Sequence, residues 1–299
     1  MKFLKNKRAG RTYALFFLFL VEWICPMNLL MAHGSEVDSL RNIFHNSNLD
    51  AEKRIEFAQL LTRGYLKQNK VDSANFYLKQ SFKTLKKIEN NKLLAHSWYL
   101  QGKFDIEMLD YDKAMKSFME ADKLFLMEGM QKEHGLAEMQ FGILMYAQNN
   151  FKASISFFNT AYQLLVQTKD TFNFLTCNYL LGLAYLEIGK FDDAEKTLNQ
   201  TLSQTKKLGF KQREMECRLG LSKLYLEKGE FQKSIEYIKI PLEYAQSIEK
   251  ENSGNQSATS RTEYIYGMAA LGLKDFNTAQ VMLENFFAFN AFAQLLRAH

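Results

Sequence analysis

The sequence predicts an all-α protein of about six stacked helical hairpins, on three observations. The first is a fixed period: LLGLAYLEIGKFDDAEKTL at 180–198 returns 40 residues later within LGLSKLYLEKGEFQKSIEYI at 219–238. With Tyr185 set against Tyr225, Gly182 meets Ser222, Gly189 meets Gly229, Phe191 meets Phe231 and Ala194 meets Ser234. Self-similarity at a period of roughly 20–50 residues marks stacked-repeat architecture. The second is that apolar residues recur at helical spacing on both sides of each turn, giving two amphipathic segments per period. The third is composition. Two prolines and 15 glycines in 299 residues are too few for the many tight turns of an all-β fold, while 47% hydrophobic residues supply a large core.

The chain opens with Lys2, Lys5, Lys7, Arg8 and Arg11, then the short apolar run TYALFFLFLV, then small residues at Ala32 and Gly34. A basic start, an apolar stretch and small residues describe a secretory signal over residues 1–34 with cleavage before Ser35. Glu22 interrupts the apolar run, which disfavours a long membrane span. The alternative is an uncleaved anchor from Thr12 to Ala32. Glu22-Trp23-Ile24 does not resemble the sequence that precedes a lipid-modified cysteine, so Cys25 is not read as one. The expected location is therefore exported, periplasmic or cell-envelope associated, with N-terminal membrane anchoring as the alternative.

This segment also explains the charge. The whole chain is +5, but residues 1–34 hold five basic residues and one acid, a net +4, leaving about +1 for the remainder. Both signs are interspersed there, and no electrostatic footprint for nucleic acid is left.

Residues 35–50 form a lead-in: Val37, Leu40, Ile43 and Phe44 have helical spacing, and Asn48 or Asp50 is placed to cap the next helix. Six units then follow, at about 51–90, 91–130, 131–169, 170–209, 210–250 and 259–299. After each central turn stands Val71, Tyr111, Phe151, Phe191, Phe231 or Phe276, and three residues on a small one: Ala74, Ala114, Ser154, Ala194, Ser234 or Ala279. The turns carry Asn69, Asn149, Gly189 and Gly229, residues that accept the left-handed conformation ending a helix. Both helices of a unit are expected to run about 18 residues, roughly 27 Å. Pro241 falls inside the second helix of the fifth unit, where it should kink the helix. KENSGNQSATS at 250–260 reads as a mobile polar connection before the sixth unit.

This pattern resembles the tetratricopeptide repeat, in a variant longer than the usual repeat of about 34 residues. The resemblance implies a right-handed α-α superhelix. It also implies that a small residue on each first helix, here Thr62, Gly102, Gly142, Gly182, Ser222 and Gly267, lets the second helix approach. The last unit ends in Phe286, Phe287, Phe289, Phe292, Leu295 and Leu296, apolar on more than one side. A solenoid normally closes with a polar outer face. Either a partner or second copy covers this helix, making a homodimer through it an expectation, or the natural chain continues.

Candidate chemistry is sparse. There is no Gly-rich phosphate loop, no HExxH and no GxSxG. His33, His45, His96, His134 and His299 are scattered, and the sequence reading pairs none of them with a second ligand at i+3 or i+4. Cys177 and Cys217 hold the same position in adjacent units. They read either as a disulfide or metal pair or as small buried side chains. Neighbouring helices pack about 8–10 Å apart, beyond the roughly 7 Å reach of a disulfide, which favours the second reading. No enzyme activity, cofactor or metal is expected.

The resemblance implies instead a concave groove lined by the first helices, holding a protein or peptide, an amphipathic helix among the candidates. The groove residues it gives are Arg63, Tyr99 and Lys103, then Met139, Ile143 and Tyr146, then Tyr179, Leu183 and Leu186, then Leu219 and Lys223. The first set would be polar and partly basic, the middle sets apolar with tyrosines. Gln59, Arg63, Tyr99 and Lys103 stand where parts of a carboxylate clamp would be, without completing it. The expected function is a non-catalytic, exported binding scaffold. The alternatives are the sensory input region of a bacterial transcription regulator or histidine kinase lacking its output domain, and a cytoplasmic peptide receptor.

Overall fold

The computed structural model describes residues 30–46, 48–251 and 256–297. Nearly all of the expected export signal, with Cys25, lies outside them. The described residues form thirteen helices and no strand. A lead-in helix, α1 (Leu30–Asn46), is followed by six hairpins: α2 (Ala51–Lys67) with α3 (Val71–Leu85), α4 (Asn91–Glu107) with α5 (Tyr111–Met127), α6 (Gln131–Ala147) with α7 (Phe151–Val166), α8 (Thr171–Glu187) with α9 (Phe191–Lys207), α10 (Lys211–Glu227) with α11 (Phe231–Glu251), and α12 (Gln256–Gly272) with α13 (Phe276–Arg297). The chain divides into two compact units, residues 1–177 and 178–299, with the boundary inside α8.

The expected period governs the backbone. First helices begin at Ala51, Asn91, Gln131, Thr171 and Lys211, 40 residues apart, and the sixth begins at Gln256. Ten of the twelve hairpin helices run 15–17 residues, slightly shorter than the expected 18, because two turns also occupy each period. The lead-in helix starts at Leu30 rather than near residue 35. Pro241 lies within α11 as expected. The polar connection is narrower than residues 250–260. Residues 250 and 251 close α11 and residues 256–260 already belong to α12.

Each hairpin is closed by the same device. In all six the residue after the turn donates its amide back to the first helix: Lys70 to Tyr65, Asp110 to Asp105, Asn150 to Met145, Lys190 to Tyr185, Glu230 to Tyr225 and Asp275 to Ala270, at 2.8–3.0 Å. One residue earlier the backbone is left-handed, at Asn69 (φ 55°), Leu109 (φ 58°), Asn149 (φ 60°), Gly189 (φ 74°), Gly229 (φ 77°) and Lys274 (φ 64°). This 6→1 bond with a left-handed residue is the Schellman ending, which satisfies carbonyls the helix leaves over. Side-chain caps start the next helices: Asp50 accepts from the Lys53 amide at 2.8 Å, Asn90 from Leu93 at 3.0 Å and Asp110 from Lys113 at 3.1 Å.

Packing inside the hairpins follows the small residues. A Cβ added at Gly142 would lie 2.5 Å from the ring of Phe158, which is fully buried. One added at Gly102 would lie 2.7 Å from Phe118. Ala74, Ala114, Ser154, Ala194 and Ser234 are completely buried and Ala279 nearly so. Where the fifth hairpin carries serine at both places, Ser222 and Ser234 exchange hydrogen bonds with each other's backbone carbonyls at 2.8 and 2.9 Å. The polar atoms are therefore satisfied without widening the contact. At the chain's start, Val37 and Phe44 of α1 cover Ala58, Leu61, Tyr65 and Tyr77.

Within the first unit α2 packs directly on α4, and within the second α10 packs on α12. First helices of successive hairpins thus lie side by side. On α13, Val281 and Phe287 are more than half exposed. The side chains of Phe289, Phe292, Leu295 and Leu296 lie outside the described residues.

Leu109 tests the turn mechanism. A left-handed backbone costs a residue with a Cβ about 1–2 kcal/mol, and this leucine is 57% exposed. Leu109→Asn is expected to raise unfolding free energy by about 0.5–1 kcal/mol in urea titrations. An unchanged or lower midpoint would show that the leucine side chain contributes packing that outweighs the strain.

Candidate functional site

The predicted groove residues divide by what the fold has already done with them. In the first unit, Arg63 of α2 is exposed, and Tyr99 and Lys103 of α4 are half-buried. The Tyr99 ring packs on Phe118 at 5.4 Å. Burial pushes its hydroxyl up to about 12 against opposing effects of the Arg63 charge and a hydrogen bond from Gln140 of α6. Arg63, Tyr99 and Gln140 thus mark one row across three successive first helices. Sequence reasoning did not include Gln140, which is 3% exposed and whose Oε1 accepts no hydrogen bond among the described residues. Gln59, one turn before Arg63, faces inward and donates to the Leu93 carbonyl at 2.7 Å and Ser97 Oγ at 2.9 Å. It serves the join between hairpins rather than a clamp.

The apolar members require a correction. Met139, Ile143 and Tyr146 of α6, and Tyr179, Leu183 and Leu186 of α8, are all 6% exposed or less. They do not form an open stripe. Tyr146 packs edge-on against Phe151 at 5.0 Å, and Leu183 fills the space left by Gly220 of α10. The cause is the close helix spacing that the glycines permit, so side chains on this face become sealant between helices. Leu219 is half-buried.

In the second unit the same face carries charge locked into pairs. Lys223 reaches Glu187 of α8 at 2.5 Å and Glu227 at 3.7 Å. Arg213 is 2% exposed, pairs with Glu216 one turn on, and lies 5.3 Å from the centre of the Tyr179 ring. Burial raises the Glu216 carboxyl, while Arg213, a hydrogen bond from Gln212 and the charge of Arg261 pull it down. Cys177 and Cys217 are buried thiols outside any disulfide, pushed up by burial. Cys177 Sγ lies 3.1 Å from the Phe158 carbonyl.

Open apolar surface lies elsewhere, on a second helix. A cleft of about 610 Å³ is bounded by Met115, Met119, Leu126 and Met127 of α5, Phe141 of α6 and Phe157 of α7, with Asp122 and Lys123 at its edge. Met119, Leu126 and Met127 are 58%, 57% and 65% exposed. At the Asp122 side, His134 Nδ1 lies 2.6 Å from Asp122 Oδ1, and Glu138 stands one turn beyond His134 on α6. Sequence reasoning passed over both features, although Met115, Met119, Asp122 and Leu126 are spaced by 4, 3 and 4 residues and His134 and Glu138 by four.

Arg213 and Glu216 give a test of the second unit. Removing one partner of a buried ion pair strands the other's charge, at roughly 3–5 kcal/mol. Arg213→Met should lose about 3 kcal/mol of stability at pH 7 in denaturant titration, and adding Glu216→Met should restore most of it. A buried Glu216 without Arg213 holds its proton above the ordinary glutamate range, so the loss is absent in acid, sets in near the unfolded-state value at about pH 4–5, and grows as pH rises beyond it. A penalty independent of pH would remove Glu216 as the cause.

Comparisons with known proteins place the fold. A tetratricopeptide repeat profile matches residues 95–125 and 175–206. No curated protein sequence matches the chain. Among solved structures, the chain is similar to a signal transduction ATPase with a tetratricopeptide repeat sensor from Pyrococcus horikoshii, with TM-score 0.66 and 14% identity over 89% of this chain. It spans 41% of that ATPase's length. It is also similar to aspartyl phosphate phosphatase F from Bacillus subtilis, with TM-score 0.61 and 15% identity over 86% of this chain and 68% of the phosphatase. A third likeness is to NprR solved with its cognate peptide NprX, with TM-score 0.62 and 17% identity over 93% of this chain and 82% of NprR. Two segments match the repeat in sequence, and hairpins of the same design continue on either side of them, so the chain carries tetratricopeptide repeats within a helical solenoid of that fold.

Proposed function

We propose that this chain is a non-catalytic scaffold that binds a peptide or a segment of another protein, and that the segment docks in the methionine-rich cleft of the first unit. The observation that carries the reading is the exposure of Met119, Leu126 and Met127 around one cleft. Large apolar side chains gathered on an open surface mark binding sites in soluble proteins, and methionine adapts its shape to varied partners. An amphipathic helix would lay its apolar face there, with polar residues toward Asp122 and Lys123. The fold likeness to NprR, solved with a peptide, supports a binding role. So does the lack of any recognisable catalytic motif in the sequence.

A second reading, the input region of a sensor, is favoured by the likeness to an ATPase whose repeats are described as a sensor. The two agree on ligand binding and differ in whether binding is relayed to an output domain. A reading frame that continues beyond His299 into such a domain would decide for the second.

We also place the chain outside the cytoplasm, on the strength of the basic and apolar start of residues 1–34. No described helix is long and apolar enough to cross a membrane. N-terminal sequencing of the protein recovered from cells should begin near Ser35. A chain that still begins at Met1 and fractionates with membranes would favour the anchor, and one that is cytoplasmic would refute export.

Peptide display against the full chain tests the cleft. The selected peptides should carry apolar residues at i, i+3 or i+4 and i+7. Met119→Lys with Met127→Lys should weaken their binding at least tenfold, by about 1.4 kcal/mol or more, with thermal unfolding unchanged because both side chains are exposed. Arg63→Glu on the first-helix face should leave binding intact. The reverse pattern would move the site to the Arg63–Tyr99 row.

A further inference from the structure

We propose that Asp122, His134 and Glu138 form a binding site for a divalent transition metal ion of borderline softness, with zinc as the best-fitting ion. One ligand atom from each of the three lies within 4.8 Å of the other two. The donors come from two helices of different hairpins: Asp122 from α5, and His134 and Glu138 one turn apart on α6. The i, i+4 spacing sets the imidazole and the second carboxylate on one helix face. The turn at Glu128–Met130 brings α5 alongside, with its left-handed Gly129 (φ 67°).

Four-coordinate zinc with ligands at about 2.0–2.2 Å places donor atoms roughly 3.3–3.5 Å apart. His134 and Asp122 are already closer than that, at 2.6 Å, and the widest separation in the set must close by little more than an ångström. Side-chain rotation alone covers such a change. An ion would take the place of the proton that now joins His134 to Asp122. Two carboxylates and a neutral imidazole supply two negative charges, which a divalent cation balances. The nitrogen donor argues against magnesium and calcium, which prefer all-oxygen sites, and the lack of a thiolate argues against copper(I).

The surroundings admit an ion. The side chains of Asp122 and His134 remain 14% and 18% exposed, and Asp122 also edges the methionine-rich cleft. Three protein ligands leave a position for water or for a carboxylate on whatever occupies that cleft. The site does not depend on the cleft being a binding site, since the three ligands belong to this chain alone.

The test uses the full chain stripped with chelator and titrated calorimetrically with zinc chloride at pH 7.5. One zinc per chain should bind saturably, and magnesium chloride should give no saturable heat. His134→Gln and Asp122→Asn should each weaken zinc binding at least tenfold, with helicity by circular dichroism unchanged. Because the ion ties α5 to α6, excess zinc should raise the melting temperature of the parent chain and not of the variants. If one variant fails to fold, the other carries the comparison. The proposal is overturned if zinc gives no saturable binding, or if a folded variant binds zinc as tightly as the parent.

Discussion

The architecture rests on a single steric constraint, the near-contact of two helices at a residue with almost no side chain. Gly102 and Gly142 leave no room for a Cβ beside Phe118 and Phe158, and these phenylalanines are completely buried because the glycines let them in. Burying a side chain of that size contributes about 1.5–3 kcal/mol, and the fourth and sixth hairpins repeat the arrangement with Gly182 against Leu198 and Gly267 against Leu283. The Schellman turn then fixes where the second helix begins. The Ser222–Ser234 exchange shows that the constraint concerns distance rather than residue type. A polar atom is tolerated there when it finds its partner across the same contact.

How much the sequence made legible depends on how local each signal is. Asn69, Asn149, Gly189 and Gly229 were readable as turn residues because few residues tolerate positive φ, and all four adopt it. Leu109 occupies the same place and was not readable, since nothing in a leucine announces a left-handed backbone. The connection at 250–260 was drawn too long because a polar first turn and a loop have the same composition. The groove was legible only as a set of positions. Periodicity says which face of a helix Met139 or Leu183 occupies, but the distance to the next hairpin decides whether that face is a surface or a seam. The distance depends on residues 40 away, and here it closes the seam.

The fate of the polar residues on the same face shows the competition more directly. Gln59 and Lys223 occupy groove positions by register, yet Gln59 bridges to α4 and Lys223 to α8. A hydrogen bond inside the fold contributes only about 0.5–1.5 kcal/mol, but leaving a buried donor or acceptor unpaired costs more, so such groups tend to be consumed by their neighbours. Arg63 escapes because it stays exposed at the surface. The Arg213–Glu216 pair is the extreme case, with both charges spent on each other beneath the Tyr179 ring.

A face filled with plugs and paired charges has little left for a ligand, and in the first unit the open apolar surface falls on α5 instead. Second helices meet fewer neighbours: α4 packs on α2, α3 and α5, whereas α5 packs between α4 and α6 and leaves one stripe uncovered. Met115, Met119 and Leu126 occupy that stripe, and Asp122 interrupts it. A lone carboxylate among methionines would be an odd choice for packing alone, since its charge is costly to cover. Its position makes sense beside His134 and Glu138, where it meets an imidazole and a second carboxylate across the interhairpin turn. The cleft and the cluster thus share a single residue, Asp122, whose contact with His134 joins α5 to α6.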